Sequence, residues 1–142
     1  MRRILLRAVL PLAAVFVLIQ LVPYGWRHPN PPVTQDAPWP TESAATLARA
    51  ACYDCHSNET DWPPYSYIAP VSWMVRSDVE GGRHELNFSE WDRDAGRADK
   101  AAREIAEGSM PPSSYTLLHP DAKLTPIEKQ ELVDALNAMD EG

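Results

Sequence analysis

Two cysteines, Cys52 and Cys55, are all that the 142 residues contain. That rules out a disulfide scaffold, and a bridge between these two would close too small a loop to staple anything. A structural zinc site needs four ligands, normally two Cys-x-x-Cys knuckles or one knuckle with a His pair, and only one knuckle is present. Runs of alternating apolar and polar residues are also missing, so no strand is expected. A thioredoxin-like dithiol, which follows a strand in a βαβ unit, therefore finds no setting here, because Ala44 to Ala51 reads as helix. Acidic residues are absent from Met1 to Val22.

What is present between the cysteines is specific. Cys52-Tyr-Asp-Cys55-His56 is the short pattern by which a chain attaches haem covalently. Two thiols three positions apart on a helical turn share a face, and each can form a thioether with one vinyl group. The next residue then lies under the iron, where His56 would be the proximal ligand, held by the tethers even if the iron–nitrogen bond breaks. The motif points to a c-type cytochrome carrying one covalent haem c.

The amino terminus differs from everything after it. Arg2, Arg3 and Arg7 precede an apolar run from Ala8 to Val22 that only Pro11 and Gln20 interrupt, the pattern of a basic n-region followed by an h-region. A helix from Ile4 to Val22 would extend about 28 Å at 1.5 Å per residue, close to the roughly 30 Å hydrocarbon thickness of a bilayer. Small residues do not close the segment at a cleavage site, which favours an uncleaved signal anchor over a removed peptide. Arginines prefer the cytoplasmic side. The expectation is a single-pass protein of a bacterial inner membrane with its carboxy-terminal domain in the periplasm.

About 120 residues then remain, enough for one domain with one core. Setting aside the three arginines leaves ten basic against twenty acidic residues, a formal charge of −10. Such a surface repels nucleic acid and suits redox partner proteins with a basic docking face.

Along the chain, three segments are expected: an anchor over 1–22, a Pro-rich linker over 23–40 and a haem-binding domain over 41–142. Six prolines between Pro23 and Pro40 demand extended backbone, either a semi-rigid stalk or a strap on the domain, and Trp39 argues for docking. Thr41 or Ser43 can cap a helix reaching the cysteines. The stretch from Ser57 to Tyr67, rich in proline and aromatics, reads as a rigid loop. A helix starting near Pro70 is expected to end at Gly81 and Gly82, Ser89 to cap a short turn bearing Trp91, and a further helix through Ala98 and Ile105 to close at Gly108. Thr125, Pro126 and Glu128 make a capping box for the last helix, striped by Leu132, Ala135, Leu136 and Met139. The sum is about four short helices with long loops, which an apolar cofactor at the centre would organise.

Gly108-Ser-Met110-Pro-Pro112 is the second constellation. A thioether is a weak ligand and holds iron only if the backbone already presents it, which Pro111 and Pro112 favour by reducing the entropy lost on ordering. Met110 is therefore the expected distal ligand, ahead of His28, His84, His119, Met74 and Met139. Trp62, Tyr65, Tyr67, Trp73, Trp91 and Tyr115 are candidates to line the haem, and Arg76 and Arg83 to pair with its propionates.

Taken together, Asn30-Pro-Pro-Val33, Cys52-Tyr-Asp-Cys-His-Ser-Asn-Glu-Thr60, Tyr65-Ser-Tyr-Ile-Ala-Pro70, Trp73, Asp78-Val79, Gly82-Arg83, Leu86-Asn-Phe-Ser89, Trp91, Met110-Pro-Pro112 and His119-Pro120 resemble the bacterial haem-binding domain family from about Asn30 onward. Pro64 departs from the pattern, which carries an aromatic there. The resemblance implies an exported, usually membrane-anchored relative of class I cytochromes c, with thioethers at Cys52 and Cys55, His56 as proximal ligand and Met110 as distal ligand.

The reading is thus an all-α, small cytochrome c-like domain wrapped around one covalent haem and preceded by a transmembrane helix. It would transfer single electrons and is not an enzyme, since no catalytic dyad is recognisable. The alternatives are a haem-containing accessory subunit of a larger membrane complex, or a gas-binding or peroxidase-like haem protein with an open sixth position.

Overall fold

The computed structural model describes residues 2–140, with side chains from Arg7 onward; Met1 of the expected anchor and Glu141 and Gly142 of the expected domain lie outside them. Its helices are α1 (Arg2–Ile19), α2 (Glu42–Ala51), α3 (Tyr53–His56), α4 (Val71–Glu85), α5 (Trp91–Asp94), α6 (Ala98–Glu107), α7 (Ser113–Leu118) and α8 (Pro126–Asp140), with three short 3₁₀ turns between them. Among the described residues the only extended pairing is an isolated bridge between Gln35 and Glu90. The chain is all-α, as expected, and forms two compact units, residues 1–29 with 62–78 and residues 30–61 with 79–142.

The expected transmembrane helix is overturned. No helix among the described residues is long and apolar enough to cross a membrane. α1 stops at Ile19, with Pro11 inside it, so the uncharged stretch from Ala8 reaches only about 18 Å at 1.5 Å per residue, well short of the roughly 30 Å needed. Beyond it, Gln20 turns its amide onto the protein: Nε2 donates to the Ala69 carbonyl at 3.0 Å, and Oε1 accepts from the Ala69 N–H at 2.9 Å. In the same unit, Gly25 adopts φ +85°, and a Cβ there would stand 2.9 Å from the Ser72 carbonyl, so only glycine fits this turn. His28 sits against the rings of Trp62 and Tyr67 at 4.5 and 4.2 Å, and its Nε2 bonds the Ser66 carbonyl at 2.9 Å.

The second unit carries the core. α6 is capped at its end by Gly108 with φ +81° and packs along α8. Ala98, Ala102 and Ile105 from one helix meet Leu132, Leu136 and Met139 from the other, joined by Ala48, Ala51, Tyr53, Leu86, Phe88 and Trp91. The many alanines let helix backbones approach closely. Thr41, of the two cap candidates, accepts from the Ala44 N–H at 3.1 Å. The box on α8 forms in both directions, Thr125 N–H to Glu128 at 2.7 Å and Glu128 N–H to Thr125 Oγ1 at 3.3 Å.

Residues 30–40 form the strap rather than the stalk. Thr34 and Gln35 donate their N–H groups to the Ser89 carbonyl, Ala37 donates to Phe88, and Trp91 donates back to Gln35, at 2.8–3.2 Å. Trp39 is docked as its indole implied: Nε1 donates to the Tyr53 hydroxyl at 3.0 Å, which donates to Asp36 at 2.9 Å.

Two expected boundaries are corrected. α4 runs through Gly81 and Gly82 to Glu85. Ser89 caps nothing; its hydroxyl accepts from the Asn58 N–H at 3.0 Å within a buried polar network. There Asn87 donates to Asn58 and Glu90, and its own N–H donates to Asp94 at 2.8 Å. The Asp94 side chain is fully buried and paired with Arg93 at 2.8 Å. Burial pushes its carboxyl up, but the hydrogen bonds from Arg93 and the Asn87 N–H, with the charges of Arg93 and Arg97, outweigh that and hold it below the ordinary carboxylate value. A carboxylate depressed in the folded state stabilises above its unfolded value near 3.9 and loses that contribution as pH falls through the folded one. Asp94→Asn is therefore expected to lower stability by about 2 kcal/mol at neutral pH in urea titrations, with the gap to the parent narrowing below about pH 4.

Candidate functional site

α2 and α3 meet at Cys52, whose backbone (φ −128°, ψ −38°) ends one helix and begins the next. The Cys55 and His56 N–H groups both donate to the Cys52 carbonyl, at 3.1 and 2.8 Å. This winds the five residues into one turn, with Cys52 at its mouth and His56 closing it. The two cysteines are not joined to each other. Burial, reinforced by the neighbouring Cys55, pushes the Cys52 thiol up to about 12, so it remains protonated rather than acting as a thiolate at neutral pH.

His56 is oriented by backbone carbonyls of α4 and of the residue that follows it. Its Nδ1 lies 3.0 Å from the Leu86 carbonyl, and a carbonyl can only accept, so Nδ1 carries the proton and Nε2 presents its lone pair. Burial holds the imidazole below its usual value, against the hydrogen bonds to Leu86 and Gly82 that favour the charged form. Burial and the committed Nδ1 together favour a neutral ring whose Nε2 carries no proton. This is the arrangement found around iron-ligating histidines, whose second nitrogen is held by a backbone carbonyl or carboxylate.

Leu86 is placed by α4, and α4 can reach the motif only because of Gly82. A Cβ on that residue would enter the Cys55 carbonyl, lying 2.9 Å from its carbon and 3.0 Å from the Cys55 Cβ. The obstruction is backbone, which cannot swing aside. Arg83, expected to face a propionate, is used within the fold instead: it donates to the Ser57 carbonyl at 2.6 Å, to Asn30 at 3.0 Å and to Thr60 at 2.8 Å.

Met110 lies half-buried against the cluster that also receives Cys52 and Tyr115. Its N–H and that of Ser109 both donate to the Glu104 carbonyl, at 3.1 and 3.0 Å, and its bond to Pro111 is cis. The competing ligands lie in varied settings. His28 is held by Ser66, His84 is 85% exposed beside Glu85, His119 stands edge-on to Tyr115 with ring centroids 4.1 Å apart, Met74 is exposed on α4 and Met139 is core. Of the aromatics, Trp91 is buried and stacks on Phe88 at 6.1 Å, Trp62 and Tyr67 hold His28, and the Trp73 indole N–H is buried without an acceptor. Arg76 donates to the Arg27 carbonyl.

Three residues that the sequence motifs contain but to which they assign no role matter here: Leu86, Asp54 and Phe88. Asp54 accepts from the Asp61 N–H at 3.0 Å and from the Tyr115 hydroxyl at 2.7 Å. Phe88 donates its N–H to the His56 carbonyl at 2.8 Å. Only the glycine inside a helical pattern could have hinted at this close packing.

Among the described residues no group of three or more His, Cys, Asp or Glu is placed to hold a bare metal ion. An open groove of about 690 Å³ between Pro40 and one face of α8, from Pro126 to Ala138, has none of the motif residues in its wall. An imidazole with a committed Nδ1, two thiols on the same turn and a half-buried thioether on the cluster that Cys52 touches form a donor set that fits an iron porphyrin.

The arrangement defines a haem protein, and the comparison with protein families agrees. A family model described as a haem-binding domain matches residues 14–138, and the chain belongs to that family. The match begins within α1, upstream of Asn30, so the amino-terminal helix is in part domain sequence. Neither a curated protein nor a solved structure matches.

Because the Gly82 contact sets the approach of α4 to the motif, Gly82→Ala should cost about 1–3 kcal/mol in denaturant unfolding and reduce the fraction of purified chain that carries haem. Gly81→Ala, with nothing within 4 Å of the added carbon, should do neither.

Proposed function

We propose that this haem protein is a monohaem c-type cytochrome, working in the periplasm and passing single electrons between protein partners, with no bond-making chemistry of its own. The observation that carries the reading is His56: its Nδ1 is spent on the Leu86 carbonyl directly after Cys52-x-x-Cys55, which leaves Nε2 for iron between two thiols suited to thioether attachment. Met110 is the distal ligand in this reading, giving a class I-like His/Met pair. Bound haem supplies the one-electron ferric/ferrous couple.

The chain's own residues do the remainder. Leu86 orients the imidazole and raises its basicity as a ligand. The Glu104 carbonyl and the two prolines after Met110 present the sulfur, and a thioether opposite histidine raises the potential. A net charge of −7 over the chain favours a partner with a basic docking face and disfavours nucleic acid. Thioether attachment in bacteria takes place outside the cytoplasm, which supports the periplasmic assignment.

A second reading, a haem-carrying subunit of a larger assembly, is favoured by α1, where Leu10, Leu12 and Leu18 are each more than 60% exposed. Stoichiometric companion chains on gentle purification would support it, and it is compatible with electron transfer.

Expression in a haem-attaching host should give a chain heavier by one haem, and Cys52→Ala with Cys55→Ala should give none; an unmodified parent chain would refute covalent attachment. Met110→Ala should lower the potential by at least about 59 mV, tenfold in relative affinity for reduced iron, and open the reduced protein to carbon monoxide. If the untouched reduced protein already binds carbon monoxide rapidly, the sixth position is open and the gas-binding alternative stands in its place.

A further inference from the structure

We infer that Asp54 and Tyr115 form a tether that positions Met110, so that a hydrogen bond across the domain sets how firmly the sulfur is held. The inference rests on Met110 being the distal ligand.

Met110 stands in the connection between α6 and α7, and its two sides are fastened differently. On the amino side Ser109 and Met110 donate to the Glu104 carbonyl, which fixes the loop to its own helix. On the carboxy side Tyr115 and Thr116 donate to the Pro112 carbonyl at 3.0 and 3.1 Å, so α7 follows the prolines as a short rigid piece. None of the α7 residues is fully buried. The Tyr115 hydroxyl fastens the helix to the haem-binding turn, donating to the Asp54 carboxylate at 2.7 Å across 61 residues of sequence.

Both ends of that bond are set in advance. The other Asp54 oxygen accepts from the Asp61 N–H, the Asp54 carbonyl accepts from Thr60 at 2.8 Å, and Thr60 is itself held by Arg83. The Tyr115 ring is bracketed by His119 at 4.1 Å and packs on the core cluster. A hydrogen bond to a charged acceptor is among the stronger neutral-to-ion contacts. Asp54 lies between Cys52 and His56, so this bond ties the segment of the distal ligand to the turn of the proximal one. Tyr115 and Asp54 are positioning residues, acting through Met110.

Carbon monoxide must displace the sulfur, so its binding rate to the reduced holoprotein reads how often Met110 lets go. Tyr115→Phe, which removes only the hydroxyl, should raise that rate about tenfold. Asp54→Ala should raise it at least as much, and the double variant should exceed Asp54→Ala by less than about twofold, the signature of a shared interaction. Hydrogen exchange at Thr116 and His119 should also be about tenfold faster in Tyr115→Phe, with the same acceleration in a Met110→Ala background, where no sulfur is involved. Unchanged rates and unchanged exchange in Tyr115→Phe, or effects that multiply in the double variant, overturn the tether. Faster exchange together with carbon monoxide binding that is already rapid in the parent refutes distal ligation and leaves the tether standing.

Discussion

The bond from His56 Nδ1–H to the Leu86 carbonyl is the contact on which the site depends. It requires α4 to deliver its last residue, Glu85, to within one peptide of the motif turn, and α4 can do so only because Gly82 offers no side chain to the Cys55 carbonyl. A helix interior normally disfavours glycine by about 1 kcal/mol relative to alanine. Here that intrinsic cost is outweighed by backbone-to-backbone approach, which sets the tautomer of His56. Helix propensity, packing and chemistry thus meet at one residue.

Around that contact the fold is stiffened by polar as much as apolar groups. Asn58, Asn87, Ser89 and Asp94 are almost completely buried and satisfy one another, so the Leu86–Ser89 segment has its hydrogen bonds fixed in one pattern. Satisfied buried networks of this kind specify a single arrangement, because any slip leaves a polar group unpaired at a cost of about 1–3 kcal/mol. The Leu86 carbonyl and the Phe88 N–H, which both reach His56, belong to the segment so fixed. The aromatic pairs of Phe88 with Tyr53, Trp39 and Trp91 seal its apolar side.

Much of this was legible from residue order. The Cys-x-x-Cys-His turn, the Thr125 capping box, the left-handed Gly108 and the docking of Trp39 all depend on local rules, and each forms where those rules place it. What could not be read locally depends on partners far away. Gly82 looks like a helix end until Cys55 is placed beside it, Ser89 looks like a cap until Asn58 claims its hydroxyl, and Asp54 is one of two variable positions in the motif until Tyr115 arrives. The amino terminus failed for a related reason. Counting apolar residues to Val22 gave a bilayer-spanning length, but helix ends are decided by competing contacts, and Gln20 finds better ones on the backbone of Ala69 than in a continued helix.

The strap of residues 30–40 has a consequence for folding. Its acceptors, Phe88 and Ser89, are made about fifty residues after Thr34 and Ala37, and contacts of such long separation close late. Until they close, Trp39 is not yet seated on Tyr53, and the flank of the turn between Cys52 and Cys55 stays open. Once the clasp shuts, Trp39 and Asp36 hold the Tyr53 hydroxyl between them, so contacts that close late are also the ones that cover that flank.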